Sequence, residues 1–292
     1  MPVLAHLSDP HIGPLPRARM RELAGKRALG FFNWHRRRKA IHRMETLTDL
    51  VADLKAQAPD QIALTGDLVN IALPAEFLNT RAFLHTLGQP AEVAVVPGNH
   101  DLYVRRAAAA GGEHWGEYMR GDDGESFPYL RRRGPLALIG LSSAIPTAPF
   151  MATGRIGRDQ IAEFRALLEM LKSEDLFRVV MMHHPPARKP GDRFKYLLDT
   201  EAFAKVLREH GADLVLHGHD HVHSVVYLDG PDGRKVPMAG VPSASSSGGH
   251  GDPAAYNLYT IEKSSDGWRC EAVTRGFRRD QEGISEIARR VL

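Results

Sequence analysis

The chain has 292 residues and a formal net charge of +3, with 43% hydrophobic and 25% charged residues, which is ordinary for a globular protein with a large core. Its single cysteine, Cys270, excludes an internal disulfide framework and a cysteine-based zinc site, and it favours a reducing compartment. No apolar run reaches the roughly 18 residues of a membrane-spanning helix, and Met1-Pro2-Val3 lacks the charged start of a signal peptide. We therefore expect a cytoplasmic protein and, because no linker-like stretch divides the chain, one domain over 1–292.

Three apolar runs in the first hundred residues are predicted strands, and a polar cluster follows each of them. The strands are 3–7, 61–65 and 92–96, and the clusters are Asp9-Pro10-His11, Gly66-Asp67 with Asn70, and Gly98-Asn99-His100-Asp101. Helical stripes separate the strands, and the one from Pro74 to Leu87 has proline near its start and Gly88 just past its end. Alternating strands and helices predict right-handed βαβ units, whose ligands lie at the carboxyl edge of the sheet.

Residues 14–43, which we call the basic segment, are different in kind. Between Arg17 and Arg43 lie ten Lys or Arg and one acid, Glu22, interleaved with bulky apolar and aromatic residues. Such a mixture is typical of an interfacial segment, with rings in the headgroup layer and cations on anionic lipid. Two alternatives stay open: a basic face whose apolar members dock on the domain, and a nucleic-acid patch, which we favour least.

The rest of the chain continues the alternation after an expected excursion from the core at 105–134. Predicted strands at 136–141, 177–182 and 213–216 alternate with predicted helices at 158–171 and 200–210. Four short predicted strands follow, at 224–228, 236–241, 255–261 and 268–274, with hairpin signals at Asp229-Gly230, Asp232-Gly233 and Asp266-Gly267. The C-terminal third should therefore add antiparallel strands.

Histidines follow two of these strands, as His183-His184 and as four imidazoles within 217–223. Histidine at every second position is poor core material, and neutral imidazole suits zinc, manganese or iron. A turn at Gly218 would release His219 and His221 from the strand end, close enough together to serve adjacent metal ions. A solvated histidine-rich loop is the alternative.

Five blocks in chain order resemble the signature of the calcineurin-like metallophosphoesterases. They are Asp9-x-His11, Gly66-Asp67-x-x-Asn70, Gly98-Asn99-His100-Asp101, His183 and Gly218-His219-x-His221. The resemblance implies an α/β fold, an αββα sandwich of two mixed β-sheets flanked by helices, with a binuclear metal centre. It covers residues 9 to 221 but says little about the basic segment or 105–134.

The same resemblance implies the ligands and the chemistry. Asp9, His11, Asp67 and His221 would hold one ion, and Asp67, Asn99, His183 and His219 the other, with Asp67 as the bridge. These oxygens and imidazoles suit manganese, iron or zinc better than calcium, and no organic cofactor is expected. A hydroxide between the ions would attack phosphorus in line.

The resemblance also assigns two catalytic residues and chooses between neighbouring histidines. His100 would contact the phosphoryl oxygen or the leaving group, and Asp101 would orient its ring or raise its basicity. The family places glycine directly before the first histidine ligand, which favours His219 over His217. It uses the imidazole closer to the strand, which favours His183 over His184. The roles of His184, His217 and His223 stay open between structural and substrate-facing.

Three functions remain in play: a phosphodiesterase, a phosphomonoesterase, and a scaffold without activity. Intact ligand blocks argue against a scaffold, and the chain looks more like bacterial phosphodiesterases and class III cyclic nucleotide phosphodiesterases than like protein phosphatases. The basic segment begins three residues after His11, at the rim of the expected cleft. An apolar and cationic rim suits a phospholipid-like headgroup ester. We expect a phospholipase C type of activity, peripheral at the inner membrane face, with a cyclic nucleotide as the alternative substrate; the oligomeric state stays open.

Overall fold

The structure is a computed structural model that describes residues 1–187, 194–249, 251–265 and 267–292. Its first half contains β1 (Val3–Leu7), α1 (Lys26–Asn33), a π-helical turn (Trp34–Arg38), α2 (Lys39–Ile41), α3 (Met44–Ala56), β2 (Gln61–Leu64), α4 (Pro74–Leu87), β3 (Val93–Val95) and α5 (Ala107–Trp115). Its second half contains β4 (Tyr129–Arg133), β5 (Leu136–Gly140), α6 (Arg158–Leu171), β6 (Phe177–Met181), α7 (Thr200–His210), β7 (Leu214–His217), β8 (Ser224–Asp229), β9 (Lys235–Gly240), β10 (Ala255–Ser264), β11 (Gly267–Phe277) and β12 (Ile284–Val291).

The strands form two mixed sheets of six strands each. The first has the order β12-β11-β10-β1-β2-β3, in which β1, β2 and β3 run parallel and β10 joins β1 antiparallel. The second has the order β4-β5-β6-β7-β9-β8, in which β5, β6, β7 and β9 run parallel between antiparallel edges. The predicted antiparallel strands of the C-terminal third are therefore present, although β9 pairs parallel to β7.

Apolar side chains fill both faces of each sheet. Between the sheets, Leu4 and Ala63 of one belong to the same buried cluster as Leu138 and Val179 of the other. A second cluster lies under α3, α4 and α5 on the outer face of the first sheet, and a third lies under α6 and α7. Burying one such aliphatic or aromatic side chain is worth about 1.5–3 kcal/mol, so the layers are stabilised mainly by packing. The predicted αββα sandwich is confirmed.

The structure differs from the sequence prediction at two edge strands. The stretch 105–134, expected as an excursion, contains α5 and β4, and β12 has no counterpart in the prediction. Both strands are rich in charge, which hides the alternation of a half-buried strand. In β4, Arg131 is buried because its guanidinium donates to the carbonyl groups of Arg120, Pro90 and Val93. The predicted turn at Asp266-Gly267 includes residue 266, which lies outside the described residues.

The carboxyl ends of the parallel strands of both sheets open on one end of the sandwich. Backbone hydrogen bonds join the loops that follow neighbouring strands. The Asp9 N–H donates to the Gly66 carbonyl (3.0 Å), and the Gly218 N–H donates to the His183 carbonyl (3.1 Å). His183 also joins the two sheets, because its Nδ1 lies 2.7 Å from the Thr65 carbonyl oxygen. No helix in the described ranges is long and apolar enough to cross a membrane.

Candidate metal centre

Two buried carboxylates, those of Asp9 and Asp67, follow β1 and β2 at the open end of the sandwich. Both residues have positive φ angles, 52° and 55°, as does His11 at 40°. A residue other than glycine rarely adopts this conformation, and it costs on the order of 1–3 kcal/mol. Hydrogen bonds between the two loops hold it, including the His11 N–H to the Asp67 carbonyl (3.1 Å). The two loops therefore bring both carboxylates to the same place at the open end of the sandwich.

Two imidazoles lie beside these carboxylates on one side. His221 Nε2 lies 3.1 Å from Asp9 Oδ1, and His11 Nε2 lies 3.9 Å from Asp67 Oδ2. His11 Nδ1 lies 3.2 Å from the Val69 carbonyl, which can only accept a hydrogen bond. The Nδ1 proton is therefore used there, and the Nε2 lone pair of His11 faces the carboxylates.

On the other side, Asp67 Oδ2 lies 3.4 Å from His183 Nε2. His183 Nε2 in turn lies 3.2 Å from Asn99 Oδ1 and 3.2 Å from His219 Nδ1. Because His183 donates through Nδ1 to Thr65, its Nε2 also faces inward. The structure thus brings together all seven predicted ligands, and Asp67 lies between the two groups.

The electrostatics of this cluster suit cations. Burial would raise the pKa of Asp67, but His183 and His100 outweigh it and hold that pKa well below its usual range. Burial lowers the pKa of His11 and that of His219 well below 6.5, which leaves both imidazoles neutral, as metal ligands must be. For His183, burial acts downward, but the Asp67 carboxylate outweighs it and raises the pKa to about 10. The same negative charge that raises the pKa of His183 would stabilise a cation bound between the carboxylates.

Two further features fit metal ions. His219 Nε2 is buried with no hydrogen-bond partner among the described residues. Within the described parts of the chain, three groups of His, Asp or both have ligand atoms within 4.8 Å of one another: His11 with His42 and His221, His183 with His184 and His219, and Asp9 with His11 and Asp67. We conclude that these clusters suggest a binuclear metal centre.

Glycines next to the candidate ligands have a steric role. A Cβ atom on Gly98 would lie 2.2 Å from Asp67 Oδ1, and one on Gly218 would lie 1.9 Å from Ser8 Oγ and 2.4 Å from Asp9 Oδ2. Any larger residue would displace a carboxylate. This contact gives a physical reason for the glycine directly before His219.

The carboxylate of Asp101 has partners other than the expected His100 ring. It accepts hydrogen bonds from the backbone N–H groups of Asp67 (2.9 Å), Leu68 (2.9 Å), Val69 (3.1 Å) and Gly98 (2.8 Å). Burial, reinforced by the charge of Asp67, raises the pKa of Asp101 to about 7. The short turn 98–101 folds this carboxylate back onto the backbone of the Asp67 loop, and its hydrogen bonds go to that backbone and to Gly98 rather than to the His100 ring.

His100 lies at the opening of the cluster. Its backbone N–H donates to Asp67 Oδ1 (2.7 Å), and its Nδ1 donates to the Asn70 carbonyl. Its ring stacks on Tyr103 with 5.4 Å between centroids. Burial and the neighbouring Arg38 lower the pKa of His100 to about 4. The imidazole is therefore neutral, and its Nε2 lone pair faces Arg38 Nη1 at 2.8 Å.

The structure places two residues of the basic segment in the cluster that sequence reasoning missed. Arg38 lies 2.8 Å from His100 Nε2 and 2.9 Å from His11 Nε2. His42 is buried, its Nδ1 lies 2.9 Å from Ser245 Oγ, and its ring lies 4.4 Å from that of His11. Neither belongs to a signature block, and a basic run gives no signal that one of its members points inward.

The three histidines left open have different surroundings. His184 joins the second group and is held through Nδ1 by Ser143 Oγ at 2.8 Å. His217 ends β7, with Nδ1 directed at the Gly218 carbonyl (3.0 Å) and Nε2 3.5 Å from Ser224 Oγ. His223 donates its backbone N–H to Asp252. Of the three, only His184 has a ligand atom close to the predicted ligands.

The basic segment is docked on the domain and forms one wall of a cleft of about 690 Å³ above the cluster. Lys26 Nζ donates to Thr147 Oγ1 (2.8 Å), Arg27 donates to the Ile71 carbonyl (3.1 Å), and Trp34 is 3% exposed. In contrast, Phe32 is 62% exposed at the cleft, and Phe150 is 85% exposed on the opposite wall.

Comparisons with known proteins agree with this geometry. The model of the family described as calcineurin-like phosphoesterase matches residues 2–223. A probable cyclic nucleotide phosphodiesterase of Synechococcus sp. is 29% identical over 172 residues, which are 58% of this chain and 60% of the relative. The chain thus matches less than two thirds of that relative's length.

Two solved structures share the fold. A dimetal phosphatase from Danio rerio has a TM-score of 0.66 at 13% identity, with 99% of this chain and 98% of that chain covered. The purple acid phosphatase PPD1 from yellow lupin (Lupinus luteus) has a TM-score of 0.60 at 12% identity, with 98% and 53% covered. The two mixed sheets are the fold shared with these phosphatases, and the His and Asp clusters at their open end suggest a binuclear metal centre. The family match shows that the chain belongs to the calcineurin-like phosphoesterases.

Proposed function

We propose that this protein hydrolyses phosphodiesters at a binuclear centre of manganese, iron or zinc. One ion is held by Asp9, His11, Asp67 and His221, and the other by Asp67, Asn99, His183 and His219. The observation that carries the proposal is the position of Asp67, whose Oδ2 lies 3.9 Å from His11 Nε2 and 3.4 Å from His183 Nε2. A carboxylate shared in this way can bridge two cations. When bound, the cations would neutralise phosphoryl charge and lower the pKa of a water molecule.

The residues around the bridge have separate tasks in this proposal. His100 is assigned to the phosphoryl group or the leaving oxygen because it lies at the opening of the cluster. Its Nδ1–H is committed to Asn70, so it donates to such an oxygen only when Nε2 is also protonated. Asp101 is a positioning residue that holds the backbone from Asp67 to Val69 through three N–H groups and that of Gly98 through a fourth. The buried loops exclude bulk water from the carboxylates, which strengthens their interaction with cations.

The substrate we favour is a phospholipid-like headgroup ester. Leu29, Phe32 and Phe150 are exposed at the cleft, 46%, 62% and 85% respectively, and Arg36 and Arg37 lie beside them. Exposed apolar side chains next to cations suit acyl chains and anionic headgroups. The protein would then bind an anionic lipid surface peripherally through the basic segment.

A cyclic nucleotide is the second candidate substrate. The observation that favours it is the similarity to the Synechococcus protein described as a probable cyclic nucleotide phosphodiesterase. The docked Trp34 and Lys26 also favour this candidate, since they use part of the segment for packing rather than for lipid.

Hydrolysis of a substrate panel with added manganese tests the function. It should contain bis(p-nitrophenyl) phosphate, p-nitrophenyl phosphate, 3′,5′-cyclic AMP and phosphatidylglycerol in vesicles. We expect the diesters to be cleaved faster than the monoester. Faster cleavage of the monoester would make the protein a phosphomonoesterase, which is the remaining alternative.

Cosedimentation with vesicles tests the lipid preference. Phosphatidylcholine vesicles with and without phosphatidylglycerol should be compared for the parent protein and a Phe32→Ala, Phe150→Ala double variant. Tyr227→Ala, on a strand away from the cleft and 48% exposed, is the matched control. Binding that is absent, or equal in the double variant, would reject the lipid substrate and favour a soluble diester.

A further inference from the structure

The guanidinium of Arg38 lies in the candidate metal centre, where the carboxylates of Asp67 and Asp9 attract it but no carboxylate of the described residues is in direct contact with it. Its terminal nitrogens contact three imidazoles, at 2.8 Å from His100 Nε2, 2.9 Å from His11 Nε2 and 3.4 Å from His42 Nε2. Its Nε is buried and has no hydrogen-bond partner among the described residues. Within the same described ranges, no ion pair joins Arg38 to a carboxylate. A guanidinium withdrawn from water needs a compensating anion.

A purely structural arginine has different surroundings in this same protein. The guanidinium of Arg131 is buried too, but its N–H groups donate to the carbonyl oxygens of Arg120, Pro90, Val93 and Glu117. Those carbonyls accept from all three of its nitrogens within the fold. The Arg38 side chain contacts no carbonyl group of the described residues, and it faces the cleft.

The contact of Arg38 with His11 cannot persist when His11 binds a cation. His11 uses its Nδ1 proton for the Val69 carbonyl, so Nε2 has one lone pair. If that lone pair binds a metal ion, Arg38 Nη2 loses the closer of its two acceptors and keeps only His42 Nε2, at 3.4 Å. The other terminal nitrogen stays beside His100, the residue we assign to the phosphoryl group. The group that replaces His11 must be an acceptor, carry negative charge and reach this point from the cleft.

The backbone holds Arg38 in this position. The residue ends a π-helical turn that begins at the buried Trp34, and such turns are frequent at functional sites. The Arg38 carbonyl accepts from the His42 N–H (2.9 Å), and the Ile41 carbonyl accepts from the Ser247 N–H (2.8 Å). The guanidinium is therefore presented by a fixed stretch of the basic segment.

We propose that Arg38 donates its two terminal N–H groups to the non-bridging oxygens of the substrate's phosphoryl group, which makes it a catalytic residue. The planar guanidinium matches two phosphoryl oxygens in a bidentate contact, which the ammonium group of lysine cannot make. This inference rests on the proposed function for the phosphoester at the site. It gives the basic segment a role in recognition of the phosphoryl group that both candidate substrates share.

Calorimetric titration of the manganese-loaded protein with inorganic phosphate tests the inference without turnover. We expect Arg38→Met to weaken phosphate binding on the order of 10- to 100-fold, the loss expected for a hydrogen bond to a charged group. The phosphate affinity of Arg38→Lys should lie between those of the parent and Arg38→Met, because lysine keeps the positive charge but cannot make the bidentate contact of the guanidinium. Metal content should stay at the parent value in both. Arg21→Met, at an exposed position of the same segment that does not line the cleft, should bind phosphate normally.

Parent-like phosphate affinity in Arg38→Met would overturn the inference, and so would loss of metal, because Arg38 would then support the ligands rather than the substrate. If Arg38→Met does not fold, Arg38→Lys decides by the same two measurements. A different result would reject the proposed function. A parent protein that cleaves no diester yet binds phosphate through Arg38 would reject the activity and keep the anion contact.

Discussion

The loops of the candidate metal centre and the basic segment line the same cleft, but different interactions hold them. The loops are fixed by backbone hydrogen bonds at strand ends and carry positive φ angles at five candidate ligands, Asp9, His11, Asp67, His219 and His221. The first half of the basic segment is tied down mostly by single side chains, such as Lys26 on Thr147 and Arg27 on Ile71, whereas backbone hydrogen bonds within the described ranges join only its end, 41–43, to 245–247.

This difference in how the two regions are held corresponds to a difference in their tasks. Strained loops that are held at many points keep ligand atoms in place before any ion binds, as metal binding requires. A segment held by a few side-chain contacts can change in sequence without disturbing the sheets. We infer that the loops hold the metal ions and that the segment, apart from Arg38, determines which phosphoester reaches them.

The largest effect is expected from removing the bridge of the loops. Asp67→Ala should lose both metal ions and all measurable hydrolysis, because one shared ligand serves both groups of imidazoles. Metal content by mass spectrometry and turnover of bis(p-nitrophenyl) phosphate are the measurements. Asp49→Ala, at an exposed position of α3, is the control. Two retained equivalents of metal with near-parent turnover would show that Asp67 is not the bridge.

His100→Ala should keep both ions and slow the chemical step, since His100 contacts the substrate rather than the metal in our proposal. The loss should be about 10²- to 10⁴-fold and larger for diesters with poor leaving groups. Turnover numbers for a series of aryl leaving groups measure it. Equal slowing across the series would indicate stabilisation of phosphoryl charge instead. Loss of metal would mean that His100, and not only Asn99, is a ligand.

A smaller effect should follow from crowding a loop without removing a ligand. The added methyl of Gly218→Ala would meet Ser8 Oγ and Asp9 Oδ2. We expect metal affinity to fall about 10- to 100-fold, as for other changes that disturb ligand orientation. Gly112→Ala in α5, where an added Cβ meets nothing within 4 Å, is the matched control. Equal metal affinity in both variants would remove the steric reason for glycine before His219.

The two regions also differ in how far the sequence predicts them. The bounds of α4, α6 and α7 agree with the predicted helices, and the polar residues after β1, β2, β3, β6 and β7 meet as expected. These features depend on local signals, such as the Pro74 start and Gly88 just past the end of α4, together with the common direction of parallel strands.

The unpredicted features depend on contacts between distant residues. His42 enters the cluster because Ser245, 203 positions away, fixes its ring. Arg38 differs from its neighbours Arg36 and Arg37 only in which side of the turn it lies on. The Asp101 carboxylate folds back because four N–H groups of two loops converge on it. Local sequence patterns cannot predict such contacts, because the residues that make them are far apart along the chain.

The smallest effect is expected in the basic segment, from loosening one of its tethers. Lys26 Nζ donates to Thr147 Oγ1 (2.8 Å) and lies 4.4 Å from the centroid of the Tyr103 ring. Losing these contacts in Lys26→Met should cost about 1 kcal/mol of docking free energy, which corresponds to about fivefold more opening. Chymotrypsin cleavage after Phe31 or Phe32 in the native protein should accelerate by that factor, because cleavage requires the open form. Arg21→Met, which loses no hydrogen bond or ion pair of the described residues, should be cleaved at the parent rate. Equal rates for both variants would show that the segment is held as firmly as the loops, and our distinction between the two regions would then fail.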